Sequence, residues 1–345
     1  MKVLFTHERF APDFAGGGEY VVLELARNLL RAGVDVRVLA GGDPGVSRYE
    51  EISTVRLPGH RYGLNFKSRA IARHARDVDL IQTFNYHACF PSWLAARRLK
   101  KPVICQFLAL FSDAWLEMKG RLVGRAFRAW ERFLLRLPFD RSVFLSEYSL
   151  ELARKAGASV QRGRVIPPGI DLHCYGSKLP KEDRVLFVGK FDVRKGVDDI
   201  LEVARRVPEA SFVLYGWGSR WLELQAAAPP NLSVTPFERG GPLYDQFARA
   251  RIFLFPSRAE TFGVAIVEAM ASGCAVISSI PAPFEGIRVP AGDVDAMEKA
   301  VRTLWNDRTA CERLGRSNQE RAREYTWEKC VRRTIALYEE TLAFR

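Results

Sequence analysis

The sequence predicts an α/β protein of two doubly wound, Rossmann-like domains facing a cleft. Three observations carry this. Short apolar runs of strand length alternate with helix-period segments along the chain. The alternation restarts after the Pro-Pro-Gly punctuation at 167–169. A length of 345 residues, 48% of them hydrophobic, suffices for two separate cores.

In the first half, Val3–Thr6 reads as a strand, and Glu19–Arg31 carries apolar residues at helical spacing before Gly33. Val34–Ala40, Leu80–Thr83, Val103–Cys105 and Val143–Leu145 read as further strands, with a helix around Ser92–Leu99. In the second half, Arg184–Val188, Phe212–Tyr215, Leu232–Val234, Phe253–Phe255 and Val276–Ser278 are strand-like. Helices are expected from about Gly196 to Arg206 and from Val264 to Ser272, the latter capped by Gly273. The expected division is 1–168, 169–325, and a final segment 326–345 whose helix, Trp327–Leu342, follows the completed second sheet.

Charge is unevenly shared. Of the net +12, residues 1–168 hold +11 and residues 169–345 hold +1, so the first half suits an anionic surface. No zinc-finger, RNA-recognition or helix-turn-helix signature accompanies the excess, and nucleic acid is not expected as a partner. No apolar run reaches eighteen residues, and the N-terminus enters a strand directly, without a signal-peptide pattern. The six cysteines are scattered with no Cys-x-x-Cys pair, which reads as reduced thiols in a cytoplasmic protein.

The most informative segment is Pro256–Gly273, bracketed by Glu260 and Glu268. Glu260 falls in a strand-to-helix loop at the carboxyl edge of a parallel sheet, where open α/β folds bind ligands. Glu268 falls more than a turn into the helix. Amides near Phe262, Gly263 and Val264 sit at that helix's N-terminus, a place that favours phosphate. Two carboxylates around an anion-binding turn suit a ligand with hydroxyls on both sides of a phosphate, as in a nucleotide-sugar.

Lys190 and Lys195, in Gly189-Lys-Phe-Asp-Val-Arg-Lys-Gly196, leave a strand and approach the next helix, within reach of a diphosphate; a solvated loop is the plainer alternative. Gly16-Gly17-Gly18 after the first strand lets backbone approach a ligand but matches neither Gly-x-Gly-x-x-Gly nor a P-loop. Gly216-Trp-Gly218 is equally incomplete as a dinucleotide fingerprint. Among the histidines, His87 alone follows a strand end at the expected cleft, with a catalytic and a structural reading both open. No histidine or cysteine spacing suits a metal, and Asp77-Val-Asp79 and Asp293-Val-Asp295 read as structural. Lys119–Arg141 is amphipathic, with a basic stripe of Arg121, Arg125, Arg128, Arg132 and Arg136. It reads either as a solvated face or as a contact for anionic lipid headgroups.

Taken together these segments resemble the group 1 (family 4) retaining glycosyltransferases of the GT-B fold. The resemblance rests on Gly16-Gly-Gly-Glu19, Ser146-Glu-Tyr148, Val165–Asp171, Gly189-Lys-Phe191 with Lys195-Gly196, Pro256-Ser257, the Glu-x7-Glu pair, and Trp327 through Tyr338. It implies that Lys190 and Lys195 hold a donor diphosphate, Glu260 contacts the sugar, Glu268 grips the ribose, and Phe262–Val264 amides lie near the phosphates. It also implies that Gly16 and Gly17 line the cleft, that the last helix crosses back to the N-terminal domain, and that the N-terminal domain selects the acceptor. Three departures stand out. Lys190 replaces the usual arginine, Leu108 stands near a usual histidine, and the loop 280–286 is short.

The implied activity is transfer of a sugar from a nucleoside-diphosphate donor to an acceptor hydroxyl with retention of configuration, without metal or redox cofactor. Expected partners are the nucleotide-sugar, a glycan or lipid-linked acceptor, and an anionic membrane surface through the arginine stripe. The expected site is Glu260, Lys190, Lys195 and His87, with Gly16, Gly17, Gly189, Gly216, Phe262, Gly263, Val264 and Glu268 binding donor. The rival classes are a nucleotide-sugar epimerase on the same fold and a non-catalytic nucleotide-sugar-binding protein.

Overall fold

A computed structural model describes residues 1–13, 16–176 and 179–344. The chain divides into two compact units, Met1–Gly169 with Trp327–Arg345, and Ile170–Thr326.

The first unit contains β1 (Lys2–Thr6), α1 (Gly17–Arg31), β2 (Asp35–Gly41), β3 (Arg48–Tyr49), β4 (Ile52–Leu57), α2 (Ser68–His74), β5 (Leu80–Phe84) and α3 (Cys89–Leu99). It continues through β6 (Val103–Phe107), α4 (Ala114–Lys119), α5 (Arg121–Leu135), β7 (Arg141–Phe144), α6 (Glu147–Lys155) and β8 (Gly163–Val165). The sheet order is β3-β4-β2-β1-β5-β6-β7-β8, parallel except for the β3–β4 pair. The direction of winding reverses between β1 and β5, so the loops after these two strands open the crevice characteristic of such sheets. Near-continuous apolar strands explain the parallel pairing, because both faces are covered; β1, β5 and β6 are buried almost throughout.

The second unit runs α7 (Leu172–Tyr175), β9 (Glu182–Lys190), α8 (Val197–Arg206), β10 (Phe212–Trp217), α9 (Trp221–Ala227), β11 (Leu232–Pro236) and α10 (Gly241–Arg249). It closes with β12 (Ala250–Phe255), α11 (Val264–Ala271), β13 (Ala275–Ser278), β14 (Gly286–Arg288), α12 (Val294–Asn306) and α13 (Arg308–Ala322). Its six parallel strands are ordered β11-β10-β9-β12-β13-β14, and the winding reverses between β9 and β12. The last helix, α14 (Trp327–Ala343), belongs to the first unit. There Tyr338 is fully buried and its hydroxyl donates to Gln82 of β5, while Glu340 accepts from Arg141 and Arg164 at 2.9 Å each.

Several elements differ from the sequence expectation. Lys190 is the last residue of β9 instead of part of a turn, because β10 extends to Trp217 and pairs with it. The amphipathic stretch 119–141 is not one helix: Lys119 ends α4, Gly120 follows with a φ of 74° that few side chains tolerate, α5 covers only Arg121–Leu135, and Arg141 opens β7. Arg136 lies past the end of α5. The hairpin between α4 and α5 closes at Gly124, where a Cβ would overlap the Trp115 carbonyl. Both Asp-x-Asp motifs are structural: Asp77 pairs with Arg37, Asp79 accepts from the Lys2 amide at 2.7 Å, and Asp293 caps α12. No helix among the described residues is long and apolar enough to cross a membrane.

Candidate active site

In the second unit, the two loops at the reversal point meet. Val193–Lys195 forms one 3-10 turn after β9, N-capped by Asp192, whose side chain accepts from the Lys195 amide at 3.2 Å. The turn ends at Gly196 with φ 69°, and a Cβ there would lie 2.5 Å from the Pro256 carbonyl, so the close approach of the loop after β12 requires glycine. The Arg258 amide donates to the Arg194 carbonyl at 2.7 Å, and Ser257 Oγ donates to the same oxygen at 3.2 Å. The loop is therefore stitched to the turn by a main-chain bond and a serine hydroxyl before any charge is counted.

Onto this frame the structure places Glu260 against two cations. Its Oε1 accepts from Arg194 Nη1 at 2.8 Å and from the Lys195 ammonium, and Ser257 Oγ lies 3.3 Å away. The three charged side chains are only 14–16% exposed. Burial opposes ionisation of Glu260, but Lys195 and then Arg194 outweigh it and hold the carboxyl down to about 2. Burial lowers the Lys195 pKa against the pull of Glu260. The ammonium also lies 4.8 Å from the Phe255 ring centroid. Lys195 and Glu260, predicted from the sequence, are thus brought together. Arg194 was missed because nothing in its spacing separates it from a surface arginine.

Glu268 occupies a separate position. It is buried on α11, and Tyr175 donates to its Oε1 at 2.5 Å. Burial raises its pKa, with the Tyr175 bond and Arg239 opposing. Phe262 is buried against Tyr325 with ring centroids 5.6 Å apart, and Gly263 enters α11 in the left-handed region with Val264 as first helical residue. Gly189 and Gly216 are register partners at the carboxyl ends of β9 and β10, and a Cβ on Gly216 would overlap the Gly189 carbonyl. These two glycines therefore serve strand packing, whatever else they border. Lys190 is exposed at the end of β9.

In the first unit, the loops after β1 and β5 bring a second polar cluster to the reversal point. His87 is buried; Asn65 Nδ2 donates to its Nδ1 at 3.1 Å, and its Nε2 faces Glu8 Oε2 at 3.7 Å. Glu8 is also buried and paired with Arg61. Burial raises the Glu8 carboxyl, and the same burial, helped by Arg61, His60 and His7, lowers His87 to about 4. His87 is therefore neutral near pH 7. Glu8, Arg61 and Asn65 escaped the sequence reading because they are far from His87 and mostly from one another in the chain, and only the topology collects them. Gly16 N-caps α1 in an extended conformation, Gly17 has nothing within 4 Å of where a Cβ would stand, and Leu108 lies 3.6 Å from the corresponding point on Gly18.

Comparison with known proteins now decides the family. Residues 15–173 match the profile of Glycosyltransferase Family 4, and residues 182–307 match that of Glycosyl transferases group 1. The chain belongs to the group 1 (family 4) glycosyltransferases. This glycosyltransferase is 23% identical to D-inositol 3-phosphate glycosyltransferase of Xylanimonas cellulosilytica, over 94% of this chain and 91% of the relative. It is 24% identical to O-antigen chain mannosyltransferase C of Escherichia coli, over 98% of both chains. Its fold is similar to that of sucrose-phosphate synthase from Thermosynechococcus elongatus (TM-score 0.86, 20% identity, 100% of both chains). It is also similar to Anabaena HepE in complex with UDP-glucose (TM-score 0.81, 16% identity, 99% of this chain and 100% of that one). Two parallel-sheet Rossmann-like units are the GT-B architecture of these enzymes. Sugar transfer is thereby favoured over the epimerase and the non-catalytic readings.

Proposed function

We propose that the enzyme transfers a sugar from a nucleoside-diphosphate donor to an acceptor hydroxyl with retention of anomeric configuration. The observation that carries this is the Glu260–Lys195–Arg194 cluster at the reversal point of the second sheet. A carboxylate kept ionised by buried cations is a strong acceptor for sugar hydroxyls. Lys195, with Lys190 at the end of the preceding strand β9, supplies positive charge for a leaving diphosphate, and the amides at the start of α11 add to it. In this reading Glu268, on α11 beside Tyr175, accepts from ribose hydroxyls, with Oε2 the oxygen for that role since Tyr175 donates to Oε1. The departing phosphate takes the acceptor proton on the same face, so no side-chain nucleophile and no metal is required.

HepE was crystallised with UDP-glucose, which makes uridine the first base to try and guanosine the second. The acceptor is a glycan or lipid-linked hydroxyl, and the basic surface of the first unit suits one presented at an anionic membrane. There α5 exposes Arg121, Arg125 and Arg132 together with Leu122 and Phe133.

Thermal shift with UDP-, GDP- and ADP-sugars identifies the donor, because a ligand that binds only the folded chain raises the melting temperature. With that donor, Glu260→Gln should lower turnover by about 10²–10³-fold, EDTA should leave it unchanged, and NMR of the product should show the donor's anomeric configuration. Inverted product, or turnover that EDTA abolishes, would contradict the mechanism; undiminished Glu260→Gln turnover would contradict the site.

A further inference from the structure

Two cations, Arg194 and Lys195, meet Glu260, with the Asp192 carboxylate at the edge of the cluster, and the two cations are anchored very differently. Arg194 Nη1 donates to the Ala259 carbonyl at 2.7 Å as well as to Glu260 at 2.8 Å, and its Nη2 lies 3.8 Å from Asp192. Its own carbonyl accepts from the Arg258 amide and from Ser257 Oγ. The guanidinium is therefore held to the loop at both its head and its backbone. The Lys195 ammonium, by contrast, makes its hydrogen bond to Glu260 and otherwise rests over the Phe255 ring. A single-point ammonium on a flexible stem can swing to a new anion, whereas a planar fork with two fixed acceptors cannot do so without breaking both bonds.

Moving Lys195 from Glu260 to a diphosphate would strand a buried carboxylate if Lys195 were its sole partner. Stranding a buried charge is more costly than the pair itself is worth. The fixed Arg194 removes that penalty. We propose that Arg194 is a positioning residue for the donor site: it is the resident counter-ion of Glu260, which frees Lys195 to engage the donor's diphosphate. Arg194 itself does not touch the phosphates. This rests on the reading of Lys195 as a diphosphate ligand.

The test is a double-mutant cycle on nucleotide affinity, measured by calorimetry on the full chain with UDP, GDP and ADP and with the corresponding monophosphates. Arg194→Gln, close to isosteric and able to keep the Ala259 bond, should weaken the bound diphosphate about tenfold. It should change the monophosphate by less than about twofold. In the Glu260→Gln background the same change should have no effect on diphosphate affinity beyond about twofold, because no buried carboxylate remains to be compensated. Arg194→Lys, which keeps the charge but not the fork, should recover part of the lost diphosphate affinity in the Glu260 background, a readout that does not depend on the folding of an uncharged variant.

Equal weakening by Arg194→Gln with and without Glu260 would mean a direct phosphate contact and overturn the inference. So would unchanged diphosphate affinity in the Glu260 background, or no rescue by lysine. If the wild type bound none of the three diphosphates, the donor reading itself would fail, and this inference with it.

Discussion

His87 shows how much a single side chain's role depends on its surroundings. Burial, reinforced by Arg61, His60 and His7, lowers its pKa to about 4, so the folded protein holds it neutral while the unfolded chain protonates it near 6.5. A depressed histidine contributes no penalty above pH 6.5 and destabilises progressively as pH falls from there toward 4. Glu8, raised by burial, works in the opposite direction, so the informative comparison is with His87→Gln. The unfolding free energy from denaturant titrations between pH 6.5 and 4.5 should fall for the wild type by roughly 1 kcal/mol per pH unit more than for that variant. Parallel curves would show that His87 is solvated. Gly17 offers a second residue-scale test. Its surroundings leave room for a methyl group, so Gly17→Ala should keep the unfolding free energy within about 0.5 kcal/mol of wild type. Substantially reduced turnover in that stable variant would show that ligand approaches the backbone there; full activity would remove Gly17 from the site.

At the scale of elements, α5 departs most from its sequence reading. A stripe of arginines opposite apolar bulk predicts an apolar inner face. Instead the buried face carries Glu131, 1% exposed, accepting from Tyr86 Oη at 2.6 Å, from the Phe111 and Ser112 amides at 2.9 Å, and from Trp115 Nε1 at 3.0 Å. Four donors satisfy the buried carboxylate, as they must where water is excluded. The compensating apolar residues turn outward: Leu122 is 83% exposed, with Val123 and Phe133 also at the surface. Arg128 is drawn into a pair with Asp113, leaving Arg121, Arg125 and Arg132 as the exposed charges of the helix. Exposed arginines flanking exposed leucine and phenylalanine are the composition of an interfacial helix. Near an anionic surface each basic residue contributes about 1 kcal/mol. Replacing all three by glutamine should therefore weaken co-sedimentation with anionic vesicles by roughly two orders of magnitude. Equal sedimentation of the variant and the wild type would end the membrane reading.

For the whole molecule, α14 is the element that chain order misplaces. It follows the second unit in sequence yet contributes Cys330, Val331, Leu337 and Tyr338 to the buried part of the first. Ending the chain at residue 326 should leave the second unit's cooperative unfolding in place. It should destabilise the first unit by several kcal/mol, since these four buried apolar side chains and that of Trp327 are lost. Calorimetry that shows both units melting as in the full chain would refute this.

What the sequence by itself determined was the pair of parallel sheets, the Glu260–Glu268 segment on the loop and helix after β12, and Lys195 in the turn after β9. These are local signals: apolar runs, glycine caps and charges whose spacing survives translation into three dimensions. The short edge strands β3, β8 and β14 were not legible, since two or three residues carry no periodicity. Only the tertiary structure decided that Arg194 joins Glu260, that Glu8, Arg61 and Asn65 gather around His87, and that Glu131 lies inward. Each depends on residues far apart in the chain meeting where a sheet reverses its winding or a helix docks. A side chain's ionisation and partners are set by that meeting and not by its neighbours in sequence.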